Sequence, residues 1–118
     1  MKNNQSGGFA ENMAALFYRL HGFRIAARNY VTGRGTGAGE IDLIVRRGKL
    51  LVFVEVKKRK SLDKAAYAIR PEQQRRIWKA AENFIRTHPQ YQACNIRFDA
   101  FLFVSWRCFR HVADAWRL

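Results

Sequence analysis

The stretch that decides the fold is Gly39-Glu40-Ile41-Asp42-Leu43-Ile44-Val45-Arg46-Arg47-Gly48-Lys49-Leu50-Leu51-Val52-Phe53-Val54-Glu55-Val56-Lys57. Two runs rich in Ile, Val, Leu and Phe flank Arg47-Gly48, and glycine supplies the positive φ that a tight hairpin turn needs. The stretch therefore predicts a β-hairpin whose turn residues are Arg47 and Gly48. With that turn, residue 44 pairs with residue 51, 42 with 53, and 40 with 55.

The predicted hairpin separates polar from apolar side chains. Side chains alternate between the two faces of a strand, and opposed residues share a face. One face then carries Glu40, Asp42, Glu55 and Lys57, and the other carries Ile41, Leu43, Val45, Val52, Val54 and Val56. This division depends on the register, because a three-residue loop would separate Asp42 from Glu55.

The polar face predicts a metal site. Neighbouring carboxylates repel one another, and partial burial makes each charge costlier. A hard divalent cation would compensate, and Mg²⁺ commonly binds through one or two carboxylates plus substrate phosphates. The metal ligands would be Asp42, Glu55 and Glu40, and Lys57 would point to the same place, to stabilise developing charge or help to activate a water. The alternative is a solvated face with cross-strand salt bridges from Glu40 and Glu55 to Lys57 and Arg46.

Charge predicts the partner. The chain of 118 residues, which we expect to be one domain over 1–118, has 22 Lys and Arg against 9 Asp and Glu, a net charge of +13. That balance favours a polyanion as the partner, with nucleic acid ahead of an anionic membrane surface.

Cys94 and Cys108 lack CxxC spacing, which indicates reduced thiols rather than a zinc site. No apolar run resembles a signal peptide or approaches membrane-spanning length, so we expect a soluble, cytoplasmic protein with no membrane partner.

The remaining elements follow from hydrophobic periodicity. Residues 1–8 are polar and predict a disordered tail. The later elements are a helix from Phe9 that ends near Gly22, a strand over 23–31, a second helix over 71–87, a strand over 95–105, and a terminal strand or short helix over 106–118. Asp99 at the start of the fourth strand is interpreted as structural, and Glu11 lies off the apolar stripe of the first helix, as a surface glutamate would.

Several basic residues are candidate contacts to nucleic acid. They are Arg34 in the glycine-rich loop 32–39, Lys58, Arg59 and Lys60 after the hairpin, and Arg75 and Lys79 on the exposed face of the second helix. Phosphate contacts of this kind add salt-dependent affinity without sequence specificity. Gln73 and Gln74, at the start of that helix, have amides that could orient a water or contact a phosphate, although spacing alone indicates two ordinary helix-end glutamines.

Asp42 followed by Glu55-Val56-Lys57 resembles the PD-(D/E)xK signature of the restriction-endonuclease-like superfamily. The blocks Gly39–Ile44 and Val52–Lys57 are similar in particular to the YraN family of uncharacterised bacterial proteins. The resemblance extends through nearly the whole chain, since it includes Ala10-Glu11, Arg28-Asn29-Tyr30, Gln74-Arg75-Arg76 and Arg97-Phe98-Asp99. It implies an α/β fold in which a central mixed β-sheet with the hairpin at its centre is flanked by helices.

The resemblance also implies roles for single residues. Asp42 and Glu55 correspond to metal ligands and Lys57 to the catalytic lysine. Glu11 corresponds to the acid of the superfamily's first helix, so the resemblance makes it a candidate metal ligand or a candidate for orienting a water. Gln74 corresponds to a helix glutamine beside the site. The chain departs from the family at Gln73, where a basic residue is common, so the resemblance does not imply a phosphate contact from that position.

Three functions follow. The first is a nuclease, an endonuclease that uses Mg²⁺ or Mn²⁺ to hydrolyse DNA, structure-specific or nonspecific because nothing here implies base readout. The second is a module of the same fold that binds DNA or RNA, DNA before RNA, without cleaving it. The third is a subunit that needs a protein partner or a second copy, as a homodimer, through an exposed sheet edge.

Overall fold

The structure, a computed structural model, describes residues 4–32 and 39–117, with side chains from Gly8 onward. The elements in chain order are α1 (Asn4–Leu20), β1 (Arg24–Val31), β2 (Glu40–Arg47), β3 (Leu50–Lys58), α2 (Pro71–Thr87), β4 (Asn95–Ser105) and β5 (Cys108–Val112). Short 3-10 helices over Lys64–Tyr67 and Pro89–Tyr91 precede and follow α2.

The five strands form one mixed sheet in the order β1-β2-β3-β4-β5. All neighbours are antiparallel except β3 and β4, which are parallel and joined through α2. Parallel neighbours need such a crossover, because a tight turn cannot join them. The central strand is therefore β3, the second half of the hairpin, as the sequence predicts.

The register of the hairpin differs from the prediction. Arg47 pairs with Leu50, Ile44 with Phe53, and Leu43 with Val54, so the turn residues are Gly48 and Lys49. Gly48 has φ 61° and takes the first turn position instead of the second. The local sequence permits either tight turn, and the whole register follows the choice. The displacement is two residues, an even number, so Asp42, Glu55 and Lys57 still share a face.

Helix α1 ends as predicted and begins earlier than predicted. The N–H of Phe23 donates to the carbonyl of Tyr18 and that of Gly22 to Arg19, with Gly22 at φ 88°. These bonds form a Schellman cap, which favours glycine at this position. At the other end, the helix begins at Asn4 rather than at Phe9, because adding a residue to an existing helix fixes one residue and gains one hydrogen bond.

Helix α2 begins at Pro71 and ends at Thr87, as the sequence predicts. Proline is favoured in a first helical turn, where its missing N–H has no partner to lose. The residues predicted for its apolar stripe are buried, namely Ile77, Ala80, Ala81 and Phe84, with Ile85 partly buried. That stripe sets which of the polar side chains in the first turn face the sheet.

Each face of the sheet has its own apolar layer. The α2 layer includes Ile44, Phe53, Phe98 and Leu102, and the α1 layer includes Leu43, Val45, Val52, Val54 and Phe101. Alternation along the strands therefore separates the two layers as predicted. Ile41 is an exception, because it packs in the α2 layer rather than beside Leu43 and Val45.

Asp99 is wholly buried on the α1 side of β4 and joins several elements. Its carboxylate accepts hydrogen bonds from Tyr18 Oη at 2.7 Å, from His111 Nε2 at 2.8 Å, and from Arg97 at 2.8 and 2.9 Å. The backbone N–H of Asp114 is a further donor. Burial raises the pKa of Asp99, but these donors outweigh it and lower the pKa to about 2. The group is the structural aspartate that the sequence indicates.

The last part of the chain forms a strand. Of the two alternatives for 106–118, the structure has β5, followed by a short segment that buries Trp116. Cys94 and Cys108 are free, partly buried thiols. Across the described ranges, no helix has the length and hydropathy that membrane crossing requires.

Candidate active site

The candidate site begins where β2 and β3 diverge. Their backbone pairing runs from the turn to Leu43 and Val54. Continuing that register would pair Val56 with Ile41, but the N–H of Val56 donates instead to Asp42 Oδ2, at 2.8 Å. A side chain has taken the position of a backbone acceptor. This divergence opens the end of the sheet at Asp42, and it accompanies the displacement of Ile41 into the α2 layer.

Asp42 and Glu55 form a close carboxylate pair at this end. Glu55 is 4% exposed, and Asp42 is partly buried. The two groups lie within hydrogen-bonding range, and burial, the charge of Glu55 and this contact together raise the pKa of Asp42 to about 8. Two such acids cannot both ionise cheaply, because each charge opposes the other in a poorly solvated place. The pair therefore keeps one proton at neutral pH.

Lys57 and Gln73 close the site from two sides. Lys57 Nζ lies 2.9 Å from Glu55 Oε2, and it donates to Gln73 Oε1 at 2.9 Å. The amide nitrogen of Gln73 donates to the same oxygen of Glu55. Gln73 thus bridges the acid and the base of the site. Neither of these side chains is fully exposed, so the contacts form in a partly dry environment.

Glu11 and Glu40 lie at the margin of the pair. Burial raises the pKa of Glu11, while a hydrogen bond with Asn29 and the charge of Arg28 oppose that rise. The charges of Glu40 and Glu55 also raise the pKa of Glu11. Glu11 is therefore more than the surface glutamate that its helix pattern indicates. Glu40 is exposed.

A cleft of about 380 Å³ stands over the carboxylate pair, between the start of β2 and the first turns of α2. A hydrogen bond from the Gly39 N–H to the Arg76 carbonyl, 3.1 Å long, ties its two walls together. Its lining residues are Gly39, Glu40, Asp42, Glu55, Arg70, Glu72, Gln73, Arg76 and Ile77. Glu55 is buried below the cleft, whereas Arg70 and Arg76 are exposed. Arg76 pairs with the exposed Glu72 at 3.4 Å. The exposed arginines could contact an anion that reaches a cation on the carboxylate pair.

Two predicted site residues take other positions. Gln74 does not contact the pair, because its amide donates to the Ile69 carbonyl at 2.8 Å and holds the chain that leads into α2. Arg59 is also occupied, since its guanidinium donates to the carbonyls of Ala66, Lys58 and Ala68. It clamps the 3-10 helix instead of facing solvent. Lys58, Lys60, Arg75 and Lys79 are exposed, and Arg34 lies outside the described residues.

The sequence interpretation favoured Gln74 over Gln73 and missed two further contributors to the site. Gln73, rather than Gln74, contacts Glu55 and Lys57, and Arg70 and Arg76 line the cleft. Helical phase does not distinguish the two glutamines, because Gln73 and Gln74 lie four and three residues before Ile77 and both share its face. Arg70 precedes the helix, and no periodicity marks it.

The metal-ligand set is small. Within residues 4–32 and 39–117, no group of three Asp, Glu, His or Cys side chains is arranged to hold an ion. Asp42 and Glu55 are a two-carboxylate set. That number is still within the range for Mg²⁺, which is commonly held by one or two carboxylates and completed by waters and substrate phosphates.

The sheet and its flanking helices form a restriction-endonuclease-like fold. The structure of Hjc, a Holliday junction resolvase from the archaeal hyperthermophile Archaeoglobus fulgidus, matches 87% of this chain and 72% of its own with a TM-score of 0.55. The two sequences are 18% identical, so the similarity defines the fold and not the activity. The predicted α/β architecture is confirmed.

The chain belongs to Uncharacterised protein family UPF0102, whose model matches residues 10–103. UPF0102 protein amb4503 of Paramagnetospirillum magneticum is 48% identical over 112 residues, which are 95% of this chain and 87% of that protein. A UPF0102 protein of Parvibaculum lavamentivorans is 48% identical over 92% of this chain and 78% of its own. The YraN-family resemblance of the hairpin blocks is thereby confirmed.

Proposed function

We propose that this protein is a metal-dependent nuclease that hydrolyses phosphodiester bonds in DNA. Asp42 and Glu55 would hold Mg²⁺ or Mn²⁺, and Lys57 would face the reacting phosphate. The observation that carries the proposal is the close, largely buried pair of carboxylates in contact with a lysine, below a cleft whose rim carries Arg70 and Arg76.

The carboxylate pair fits a hard divalent cation. At neutral pH the raised pKa of Asp42, about 8, keeps a proton on the pair because a second buried charge is costly. Binding of a divalent cation would relieve that repulsion, and carboxylate oxygens are the ligands that Mg²⁺ and Mn²⁺ prefer. When bound, the cation would supply charge neutralisation at the phosphate and a lower pKa for a water beside it. Glu11 and Glu40, at the margin, would complete the ligand set or orient that water.

Lys57 is arranged to stabilise charge. An ammonium group has three N–H donors, and two of them point to Glu55 and Gln73. The third is available for a phosphate oxygen. A donor fixed before the reaction stabilises the charge that develops in the transition state without further reorganisation. Gln73 acts as a positioning residue, since it holds both Glu55 and Lys57.

Basic side chains around the cleft would bind the DNA backbone. Arg70 and Arg76 line the cleft, and Lys58, Lys60, Arg75 and Lys79 are exposed nearby in the chain. Contacts to phosphates fix the position of a duplex and carry no sequence information. We therefore propose structure-specific or nonspecific cleavage. Arg59 is left out, because its guanidinium is already bound to backbone carbonyls.

A cleavage assay tests the proposal. The natural protein and three variants would each be incubated with linear, flapped and four-way DNA, in Mg²⁺, Mn²⁺ or EDTA. The variants are Asp42→Asn, Lys57→Ala and the matched control Lys64→Ala. Cleavage should require metal, and Asp42→Asn and Lys57→Ala should each reduce kcat by about 10² or more. Lys64→Ala, an exposed lysine in the 3-10 helix, should cleave as the natural protein does.

The second candidate is a module of the same fold that binds nucleic acid without cutting it. It is favoured by the occupied state of Glu55, whose carboxylate is bound by Lys57 and Gln73, and by the small ligand set in the described residues. Salt-sensitive DNA binding by all four proteins, with no cleavage under any metal, would support this candidate and contradict the nuclease.

A further inference from the structure

A second cleft, of about 250 Å³, lies at the C-terminal end of α1, on the face of the sheet opposite α2. Its lining includes two histidines and two arginines beside aromatic rings: His21, Arg47, Arg97, His111, Phe17 and Phe23. The first site and its cleft lie at the other end of the hairpin. Nothing in the proposed reaction uses these four basic groups.

Each of the four basic side chains in this cleft is held by a hydrogen bond through at least one nitrogen, and each has at least one nitrogen that makes no such bond. Arg97 donates to Asp99 through Nε and Nη2, and His111 contacts the same carboxylate through Nε2. His21 Nδ1 lies 2.7 Å from the Phe17 carbonyl, and Arg47 Nη1 donates to the carbonyl of His21 at 2.8 Å. Five nitrogens of these side chains have no hydrogen-bond partner within the described part of the chain. They are Nη1 of Arg97, Nδ1 of His111, Nε2 of His21, and Nε and Nη2 of Arg47.

The cleft offers no acceptor with negative charge. None of its lining residues is acidic. Asp99, which neutralises Arg97, is wholly buried, and its oxygens are taken by hydrogen bonds from Tyr18, Arg97, His111 and the Asp114 backbone. Fixed donors with no accessible carboxylate favour an anion, and the arginine forks suit phosphate geometry.

The positive surface continues past this cleft. Arg47 also lines a neighbouring cleft of about 290 Å³, together with Arg24, Arg46, Gly22 and Gly48. Arg24 lies directly opposite Arg46 in the sheet, a like-charge pair that costs stability. Within residues 4–32 and 39–117, none of Arg24, Arg46, Arg47 and Lys49 has an acidic ion-pair partner. Two adjoining clefts that share an arginine suit a chain of phosphates better than one isolated ion.

We propose that these two clefts, joined at Arg47, bind successive phosphates of a nucleic-acid backbone at a distance from the carboxylate pair. The inference deepens the proposed function, on which it rests for the class of ligand. Arg47 is five strand residues from Asp42, about 17 Å at the usual rise. The carboxylate cleft opens on the α2 side of the sheet and the second cleft on the opposite side, so the two contacts lie on different faces and at opposite ends of the hairpin.

Binding without metal tests this inference independently of cleavage. Fluorescence anisotropy of a labelled duplex would be measured in EDTA over a range of salt concentrations. The double variant Arg24→Gln/Arg47→Gln should bind the duplex about tenfold more weakly at low salt. The slope of log affinity against log salt concentration should fall by the amount expected for about one to two lost phosphate contacts. The matched control is Arg107→Gln/Arg110→Gln. It removes the same charge from exposed arginines outside both clefts, and Arg110 contacts Tyr67 instead.

Two single variants guard against misfolding, because Arg47 also stacks on Phe23. Arg24 is exposed and has no hydrogen bond or ion pair among the described residues. His21 is exposed, and its ring contacts the carbonyl and the ring of Phe17. Arg24→Gln and His21→Gln should each weaken duplex binding about threefold, with an unchanged melting temperature. Equal binding by these variants, the double variant and the control would overturn the inference.

A comparison of inorganic phosphate with a DNA duplex distinguishes a site for free phosphate from a site for the nucleic-acid backbone. The ring signals of His21 and His111 in NMR spectra should shift when duplex is added. Phosphate should displace the duplex no better than chloride of equal ionic strength. Ring shifts with phosphate alone would overturn the backbone proposal in favour of a free-phosphate site. A lack of cleavage with intact, cleft-dependent binding would contradict the nuclease and leave this inference standing.

Discussion

Asp42 has two roles in one side chain. Its carboxylate accepts the N–H of Val56 in place of a strand partner, and it forms the close pair with Glu55. An asparagine at this position keeps an oxygen for Val56 and removes the titrating group. The charge of the pair can therefore be studied separately from the pairing of the strands.

The raised pKa of Asp42 predicts how stability depends on pH without metal. The folded carboxyl binds a proton up to about pH 8, whereas its ordinary pKa is 3.8. Between these values the folded state holds more protons than the unfolded state, so stability should fall as pH rises from about 4 to 8. Asp42→Asn should flatten this part of the profile and melt several degrees higher than the natural protein at pH 8.

Thermal unfolding in EDTA at pH 4, 6 and 8 provides the measurement. Asp63→Asn, at the exposed N-cap of the first 3-10 helix, removes an aspartate charge but keeps an oxygen that can accept the Ala66 N–H, and its difference from the natural protein should not grow toward pH 8. Parallel profiles for the natural protein and Asp42→Asn would mean that the pair carries no excess repulsion.

Individual residues were predictable where a pattern settles their surroundings. Asp42, Glu55 and Lys57 follow from strand alternation, which survives any even change of register. Gln73 and Gln74 are neighbours in sequence, and only the docking of α2 on the sheet decides which of them meets Lys57. Arg59 is adjacent to exposed lysines, yet its guanidinium binds a segment whose path no local pattern specifies.

At the scale of elements, turns were the weak point and long periodic segments were not. Helix α2 and the fourth strand carry apolar repeats over many residues, which predict their extents well. A hairpin turn rests on two or three residues, so the Arg47-Gly48 prediction was displaced to Gly48-Lys49. The start of α1 was also missed, because residues 4–8 lack the apolar repeat that marked the rest of the helix.

Two glycine substitutions test the assignment of the turn and of the helix start. Gly48 has φ 61° and open space around its missing Cβ, so Gly48→Ala should destabilise by backbone strain alone, by about 1–2 kcal/mol. Gly8 also has open space but lies in α1, so Gly8→Ala should stabilise by up to about 1 kcal/mol.

Urea unfolding of the two variants measures both changes on one scale. The opposite signs matter more than the sizes. Destabilisation by Gly8→Ala would mean that α1 does not include its first two turns, and a neutral Gly48→Ala would mean that the turn does not require positive φ at Gly48.

At the scale of the whole molecule, Asp99 ties α1, β4, β5 and the segment after β5 to one point. The buried carboxylate compensates Arg97 and hydrogen-bonds Tyr18 and His111. Composition predicts none of this, because the partners come from positions as far apart as 18 and 111. Only the assembled sheet and helix bring them together.

Asp99→Asn should destabilise the protein by about 3 kcal/mol at pH 7, because Arg97 would lose its buried counter-charge. The pKa of Asp99 is lowered to about 2 from an ordinary value of 3.8. The ionised carboxylate therefore contributes fully to the free energy of unfolding above about pH 4, and this contribution is lost as the pH falls through about 2. The cost of Asp99→Asn should therefore shrink between pH 4 and pH 2. Urea unfolding at pH 7, 4 and 2.5 gives the profile.

Asp114→Asn is the comparison for that profile, since Asp114 is exposed and reaches Asp99 only through its backbone N–H. Its effect should be small at every pH. An Asp99→Asn cost that stays constant down to pH 2.5 would contradict the lowered pKa.

The bond between Val56 and Asp42 has a consequence for the history of such a chain. A lineage that abandons chemistry while keeping its fold is not free to change every member of the site equally. Alanine at 42 would unfasten the end of a central strand pair, whereas a change at Lys57 would cost no strand pairing. Relatives that have drifted toward inactivity should thus have varied at Lys57 first, with Asp42 among the last residues to go.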